Sequence, residues 1–118
     1  ALSENPDVDD VIFVSPRGEV TESTRANVVI RKGTRLFTPR AESGLLKGTF
    51  REKLIREGKI EEARLTVGDL LSADEVFLVN SVRKWIPAVV VGVDSRVKAR
   101  QADEESPFLS SIQKTIET

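Results

Sequence analysis

The first feature of the sequence that could do chemistry is a pair of glycines, Gly44 and Gly48, leading into an amphipathic segment that begins at Thr49. A glycine that leads into a helix favours anion binding, because the first backbone N–H groups of a helix lack partners within it and lie at the positive end of its dipole. A nucleotide-binding P-loop is excluded, since it requires lysine directly after its second glycine and Gly48 is followed by Thr49. The connection from Gly48 into the segment at Thr49 has two interpretations: an anion-binding site or an ordinary connecting loop.

Several kinds of reactive centre are excluded because the residues that build them are absent. The chain has no cysteine and no histidine, which removes thiolate nucleophiles, Ser-His-Asp systems and imidazole metal sites. Consecutive carboxylates at Asp9-Asp10 and Asp103-Glu104-Glu105 diverge along a strand or loop, so we interpret them as solvated surface and expect no metal site. Catalysis would have to use carboxylates, lysines, hydroxyls, backbone dipoles or a bound cofactor.

The composition describes one globular domain. The chain has 118 residues, a net charge of -1, 39% hydrophobic residues and 31% charged residues, which suits a single folded domain. No apolar run approaches the roughly 18 residues of a membrane helix, no basic excess indicates nucleic-acid binding, and no signal-peptide pattern is present. We therefore expect a cytoplasmic protein with no membrane or nucleic-acid partner. Because the chain begins with Ala1 and contains no methionine, we also expect a piece of a longer polypeptide.

Strands dominate the elements that must position the chemical groups. Apolar and β-branched runs bounded by turns predict strands at Val11–Val14, Glu19–Ser23, Asn27–Arg31, Thr34–Thr38, Glu75–Asn80 and Ile86–Val93, with a brief strand at Arg64–Thr66. Several of these runs are joined by hairpin turns rather than by helices, which argues against a doubly wound parallel sheet. The predicted fold class is α+β, built around a mixed and strongly curved sheet.

Helices are fewer and shorter. The period changes at Thr49, where apolar residues four and five apart predict a helix that ends at Gly58, and Thr66 with Asp69 predicts the capped start of a second helix. The outlying parts of the single domain are expected to be a lead-in (1–10), a charged connector (94–106) and a terminal helix (107–118).

The two aromatic residues Trp85 and Phe108 have two interpretations. We expect both to lie in the core; the alternative is that they are exposed anchors of an interaction module.

Four ordered segments resemble one enzyme family. Residues 18–27 carry Gly18, Val20, Glu22 and Asn27 in a pattern similar to the G-x-V-x-E-x-x-x-x-N segment of class IV pyridoxal-phosphate enzymes. A Thr-Pro element follows at 38–39, then segments similar to the family's G-x-L-x-G-I-T-R at 44–51 and A-D-E-V-F-L-x-N-S at 73–81. The family comprises branched-chain aminotransferases, D-amino-acid aminotransferases and aminodeoxychorismate lyases.

The resemblance implies a pyridoxal phosphate cofactor and assigns residues to it. Glu22 matches the carboxylate that faces the pyridine nitrogen and keeps it protonated. Thr49 and Phe50 match the pair whose backbone N–H groups hold the phosphate, and Asn80 with Ser81 matches the second phosphate contact.

One departure from the family concerns its Schiff-base lysine, which lies well upstream of the position that Glu22 matches. None of the 21 residues before Glu22 is a lysine, and all seven lysines follow it, beginning with Lys32. The resemblance therefore implies the C-terminal portion of the larger cofactor domain, with no catalytic residue of its own. Asn27 and Arg51 match motif positions that we expect to brace the fold.

Within the family, the chain looks most like the aminodeoxychorismate lyase domain of fused para-aminobenzoate synthases, because aminotransferases usually carry Gly-Thr where this chain has Asn80-Ser81. The implied reaction of the parent protein converts 4-amino-4-deoxychorismate, a small molecule, to para-aminobenzoate and pyruvate in folate biosynthesis, and a homodimer is usual in the family. Two alternatives stay open: a fragment of a branched-chain or D-amino-acid aminotransferase, and a non-catalytic domain that supports a para-aminobenzoate synthase by packing alone.

Overall fold

Eight strands in the described part of the chain join in one mixed sheet. The computed structural model describes residues 10–24, 26–40, 48–82, 84–92, 97–102 and 106–108. Within these ranges the strands are β1 (Asp10–Val14), β2 (Val20–Ser23), β3 (Asn27–Lys32), β4 (Arg35–Pro39), β5 (Glu61–Ala63), β6 (Glu75–Asn80), β7 (Lys84–Gly92) and β8 (Val97–Gln101), and the helices are α1 (Thr49–Arg56) and α2 (Val67–Ser72). The expected α+β class is confirmed.

The curvature of the sheet brings two of its strands back together. The strand order is β2-β1-β8-β7-β6-β3-β4-β5, and β2 also pairs with β3, so six strands form a closed ring from which β4 and β5 extend. The closing contact is one antiparallel pair, Glu22 opposite Asn27. The pairing of β4 with β5 is parallel, whereas the ring strands pair antiparallel.

The ring is apolar both inside and on one outer face, because alternate residues of its strands are buried on opposite sides. In β3, Val28 and Ile30 belong to an interior cluster to which every ring strand contributes. Val29 between them belongs to an outer cluster with Phe77 of β6. Helix α1 covers this outer cluster with Leu54, so β3 and β6 are buried on both faces.

Both helices have the ends that local chemistry predicts. After α1, Gly58 has φ of +74°, the left-handed conformation that glycine adopts readily at a helix C-terminus. At the start of α2, the Asp69 N–H donates to the Thr66 hydroxyl at 3.2 Å, and the Thr66 N–H donates to the Asp69 carboxylate at 2.9 Å. This capping box confirms the predicted start, and the Thr66 backbone hydrogen bond holds the pKa of Asp69 below its ordinary value.

The segment expected to be a charged connector, residues 94–106, instead contains β8. This strand lies between β1 and β7 in the ring. Val97 and Ala99 are buried in the interior, whereas Lys98 between them is exposed. The prediction was wrong because charged residues alternate in this segment with small apolar residues that point into the ring, and the alternation is too short to stand out in the sequence.

Smaller expectations also change. The brief strand expected at Arg64–Thr66 lies at Glu61–Ala63, where β4 offers a partner. Asp10, expected in the lead-in, is buried at the start of β1, and β7 begins at Lys84, two residues earlier than predicted. The rest of the lead-in, and all but the first two residues of the terminal helix expected over 107–118, lie outside the described residues.

Trp85 lies in the core, which confirms that expectation, whereas Phe108 is partly buried and packs against the core. Trp85 is buried, with its ring edge-on to Phe77 at a centroid distance of 5.6 Å. Phe108 packs against the same outer cluster, and the Arg31 guanidinium lies 4.9 Å from the centre of its ring. The alternative, in which these two aromatics are exposed anchors for a partner, is wrong.

A buried carboxylate ties the end of β4 to the ring. The Glu19 side chain is only 3% exposed and accepts two hydrogen bonds from the Arg40 guanidinium, at 2.8 and 3.1 Å. Arg64 adds a longer ion pair at 3.6 Å. The hydrogen bond from Arg40 is the main reason that the pKa of the Glu19 carboxyl lies below its ordinary value of 4.5, and burial partly opposes it.

We expect Glu19→Gln to remove a pH-dependent part of the free energy of unfolding. Because the pKa of Glu19 is lowered in the folded chain, its contribution is present above pH 4.5 and is lost as the pH falls through the folded pKa. Urea unfolding should therefore show the largest difference between wild type and variant near neutral pH, and the two should converge in acid.

Glu61→Gln is the matched control for this prediction. Glu61 also accepts two hydrogen bonds from one arginine, Arg35, but its side chain is 51% exposed. Exposed ion pairs stabilise little, so this variant should unfold almost as the wild type does. A Glu19→Gln effect of equal size at neutral and acid pH would show that the charge of Glu19 is not its source.

Candidate functional site

A cavity of about 310 Å³ opens where the ring closes. Its lining comes from the hairpin between β2 and β3, from the start of α1 and from the end of β6: Glu22, Ser23, Thr24, Ala26, Asn27, Gly48, Asn80 and Ser81. The volume is at the small end of the roughly 300–1,000 Å³ that is typical of small-molecule sites. Three residues that the family resemblance assigned to the cofactor, Glu22, Asn80 and Ser81, therefore line one cavity.

Asn27 joins the three parts of the cavity wall. Its backbone pairs with Glu22 on one side and with Val79 of β6 on the other. Its side chain lies against Gly48, where a Cβ would come within 2.6 Å of Asn27 Oδ1. Gly48 has an ordinary φ of -65°, so glycine is needed here for space rather than for backbone conformation. Asn27 therefore lies where the three parts of the wall meet, which is consistent with the bracing role expected for it.

The start of α1 presents backbone donors that have no partner within the helix. Gly48 is the N-cap of the helix and provides no side-chain cap, and the Glu52 N–H donates to the Gly48 carbonyl at 3.0 Å. The N–H groups of Thr49 and Phe50 come before that first bond and have no partner within the helix. Together with the helix dipole they favour an anion at this end. The Phe50 side chain packs against Trp85 at a centroid distance of 6.3 Å, so Phe50 can contribute through its backbone.

Ser81 reaches the helix start from the turn that follows β6. The hydroxyl groups of Thr49 and Ser81 share a hydrogen bond, so the Gly48 helix start and this turn meet on one side of the sheet. Asn80 shapes the turn, because its side-chain oxygen accepts a hydrogen bond from the Val82 N–H at 3.0 Å. The structure thus brings Thr49, Asn80 and Ser81 together.

Glu22 is half-buried and faces the side of the sheet that α1 covers. It lies opposite Asn27, which lies opposite Val79, and residues opposite one another on antiparallel strands share a face. Val79 belongs to the outer cluster. Val20 points into the ring, so strict alternation would send Glu22 inward as well. A register shift between β1 and β2 interrupts that alternation, and bulges of this kind often re-aim a side chain beside a functional site.

Arg51 braces the other side of the helix start. Its side chain is 1% exposed and donates to the Pro39 carbonyl at 2.9 Å and to the Glu62 carboxylate at 2.6 Å. Because Pro39 ends β4 and Glu62 lies in β5, these bonds tie α1 to both strands outside the ring. The structural role expected for Arg51 is confirmed.

Three lining residues were missed by sequence reasoning: Ser23, Thr24 and Ala26. They form the tip of the hairpin between β2 and β3, where the Ser23 N–H and hydroxyl both donate to the Ala26 carbonyl, at 2.9 and 3.2 Å. The available signal was the short distance in sequence between Glu22 and Asn27, which permits only a tight turn. Gly44, singled out with Gly48, lies outside the described residues.

The chemistry of the cavity is that of backbone donors, hydroxyls, amides and one carboxylate. Within the described ranges, no group of three or more aspartates and glutamates could hold a metal ion. None of the described lining residues is a lysine. Across the same ranges, no helix has the length and apolar character needed to span a membrane.

Solved structures share this fold. An aminotransferase from Brucella abortus, bound to the cofactor pyridoxal phosphate, superposes with a TM-score of 0.66 at 26% identity and covers 92% of this chain and 38% of that one. A branched-chain aminotransferase from Thermoproteus uzoniensis, solved with norvaline, gives a TM-score of 0.67 at 29% identity and covers 90% of this chain and 35% of that one. The fold is therefore that of part of the larger domain of class IV enzymes.

The chain belongs to the class IV aminotransferase family, because the family model described as amino-transferase class IV matches residues 2–91. It is also 36% identical over 81 residues to the aminodeoxychorismate lyase of Bacillus subtilis, which covers 64% of this chain and 28% of that protein. The chain spans 17% to 40% of the length of the curated relatives compared with it.

Gly48→Ala should lower the free energy of unfolding by about 1–3 kcal/mol, because the new Cβ overlaps the Asn27 side chain. Asn27→Ala in the same chain removes the overlapping atom. In a double-mutant cycle measured by urea unfolding, the pair should therefore cost less than the sum of the single variants, with a coupling of about 1 kcal/mol or more.

Gly68→Ala is the control, since a Cβ there meets nothing closer than the Thr66 hydroxyl at 3.6 Å. It should leave stability unchanged or raise it slightly, as alanine does within a helix. Strictly additive effects of Gly48→Ala and Asn27→Ala would contradict the close approach as the reason for glycine.

Proposed function

We propose that this chain supplies the phosphate-binding and pyridine-facing side of a pyridoxal phosphate site in an aminodeoxychorismate lyase. The observation that carries the proposal is the meeting of Glu22, Gly48 and Ser81 at one cavity, with Thr49 hydrogen-bonded to Ser81. Membership of the class IV family and a relative solved with this cofactor support the choice of ligand.

The start of α1 and Ser81 would hold the phosphate. The Thr49 and Phe50 N–H groups and the Ser81 hydroxyl are donors, which suits an anion that only accepts hydrogen bonds. The helix dipole adds to their effect. Asn80 would contribute by shaping the turn that presents Ser81. Among the described lining residues the only carboxylate is Glu22, which comes from the hairpin. The lining residues at the helix start therefore add no negative charge that would repel the phosphate.

Glu22 would hold a proton on the pyridine nitrogen. A carboxylate that accepts a hydrogen bond from a ring N–H favours the protonated form of that ring. When bound, the cofactor supplies an electron sink for the reacting carbon of the substrate. Because the backbone of Glu22 is paired with Asn27 in the closed ring, the side chain starts from a defined position on the cavity wall.

The lyase is the first choice within the family because Asn80-Ser81 stands where aminotransferases usually carry Gly-Thr. The second candidate is a branched-chain or D-amino-acid aminotransferase, since solved relatives include a branched-chain aminotransferase.

For the whole protein we propose a cytoplasmic homodimer that acts on 4-amino-4-deoxychorismate in folate biosynthesis, fused to a para-aminobenzoate synthase. A non-catalytic domain of such a synthase would show no activity in the assays below.

The 118-residue chain alone should bind pyridoxal phosphate only reversibly. None of its lysines precedes Glu22 and none is found among the described lining residues, so we expect any visible absorbance that appears on mixing to be lost on dialysis. Absorbance and phosphate content after dialysis measure this. A stoichiometric band that survives dialysis would contradict the assignment of the Schiff-base lysine to another part of the protein.

A polypeptide of full family length that carries this segment should release para-aminobenzoate and pyruvate in equal amounts from 4-amino-4-deoxychorismate. Glu22→Gln keeps the shape of the side chain and removes its charge. We expect it to slow turnover by about two orders of magnitude, or roughly 2.7 kcal/mol in the activation barrier, with a smaller loss of cofactor affinity.

Other products would distinguish the alternatives. Transfer of an amino group from a branched-chain or D-amino acid to a 2-oxo acid, without para-aminobenzoate, would favour the aminotransferase. Wild-type turnover in Glu22→Gln would show that Glu22 does not face the ring nitrogen.

A further inference from the structure

Lys84 has an unusual backbone conformation beside the proposed phosphate cradle. Among the described residues it is the one non-glycine with a positive φ, at +63°, in the left-handed region that L side chains disfavour. It begins β7 and lies opposite Asn80, the last residue of β6, so it closes the turn that carries Ser81. Residues with positive φ in tight hairpin turns are commonly glycine or asparagine, and a strained residue beside a functional site suggests a functional cause.

The side chain of Lys84 contacts the start of α1. Its Nζ lies 5.1 Å from the centre of the Phe50 ring, within the range of a cation–π contact. Phe50 is the second residue of α1, and its ring also packs edge-on against Trp85, the residue that follows Lys84. The turn after β6 and the start of α1 are thus joined by these ring contacts as well as by the Thr49–Ser81 hydroxyl bond.

We propose that Lys84 is a positioning residue, whose contact with Phe50 holds the Ser81 turn against the start of α1 at the spacing that a bound phosphate requires. This inference rests on the proposed function, because it assigns Lys84 to that phosphate cradle. The ammonium group acts on Phe50 and not on the anion, which the Thr49 and Phe50 N–H groups and the Ser81 hydroxyl bind. In this proposal the left-handed backbone of Lys84 is what allows its ammonium group to reach the Phe50 ring.

The test compares stability and affinity in the same chain. Pyridoxamine 5′-phosphate is the probe, since it has no aldehyde to condense with surface lysines, and pyridoxamine is the control ligand that lacks the phosphate. Binding is followed through Trp85, the single tryptophan, which contacts Phe50. Urea unfolding gives the stability of each variant.

Lys84→Gly should move the two quantities in different directions. Glycine relieves the left-handed strain, so the unfolding midpoint should rise or stay unchanged. Affinity for the probe should fall by roughly two- to fivefold, the size expected for loss of an exposed cation–π contact. Lys84→Arg keeps a cation and should keep affinity within about twofold. Wild-type affinity in Lys84→Gly, or a parallel fall in stability and affinity, would overturn the proposal.

Phe50→Leu distinguishes positioning from direct contact with the phosphate. If Lys84 acts through the ring, Phe50→Leu and Lys84→Gln should each lower the affinity for the probe. The affinity of the double variant should then equal that of the single variant with the lower affinity, because both changes remove the same contact. Retained affinity in Phe50→Leu, or additive losses, would overturn the proposal in favour of direct contact. Failure of the proposed function gives a different result. The wild-type chain would then bind pyridoxamine 5′-phosphate no more tightly than pyridoxamine, and the role proposed for Lys84 would be excluded as well.

Discussion

The candidate site depends on one close approach, between the side chain of Asn27 and the backbone of Gly48. A Cβ at position 48 would lie 2.6 Å from Asn27 Oδ1, so the helix start and the Asn27 side chain can keep these positions only when residue 48 is glycine. Because Asn27 also pairs with Glu22 and Val79, the same residue fixes the distances between the hairpin, the helix start and β6. The three walls of the cavity therefore share one reference point.

The register of β3 fixes that reference point in turn. A slip of one residue between antiparallel strands turns every side chain to the opposite face. In β3 such a slip would turn Asn27 and Arg31, which alternate with Val28 and Ile30, towards the interior that those two apolar residues fill. Burying polar or charged groups without partners is costly, so these polar residues favour the observed register. The Glu22–Asn27 pair follows from this register, and the irregularity between β1 and β2 turns Glu22 to the same face as Asn27.

Local signals in the sequence predicted the local parts of this structure. The end of α1 at Gly58, the capping box at Thr66 and the strand at Glu75–Asn80 each depend on a few neighbouring residues, and each is confirmed. The strand β8 was missed because its charged residues hide a short alternation whose meaning depends on β1 and β7. The position of β5 depends on parallel pairing with β4, a partner more than twenty residues away in the sequence.

The candidate site divides in the same way. Family motifs selected Glu22, Asn80 and Ser81, and the structure places them at one cavity. No motif indicated that Asn27 would contact Gly48 or that Lys84 would adopt a positive φ. The first feature arises from the approach of α1 to the sheet, and a tertiary contact of this kind is not encoded in periodicity. The second lies in the turn between β6 and β7, at a position where the sequence has neither of the residues, glycine or asparagine, that usually mark a positive φ.

A cradle made of backbone donors explains which positions of such a site can vary. On the proposed function, the phosphate meets the N–H groups of Thr49 and Phe50, which every residue except proline possesses. The side chains at those two positions are therefore constrained by what they do elsewhere: the Thr49 hydroxyl bonds to Ser81, and the Phe50 ring packs against Trp85. Gly48 has no side chain, and a residue with a Cβ at this position would have to displace the Asn27 side chain. The choice of residue at position 48 is therefore limited by the shape of the cradle and not by a side-chain contact with the anion.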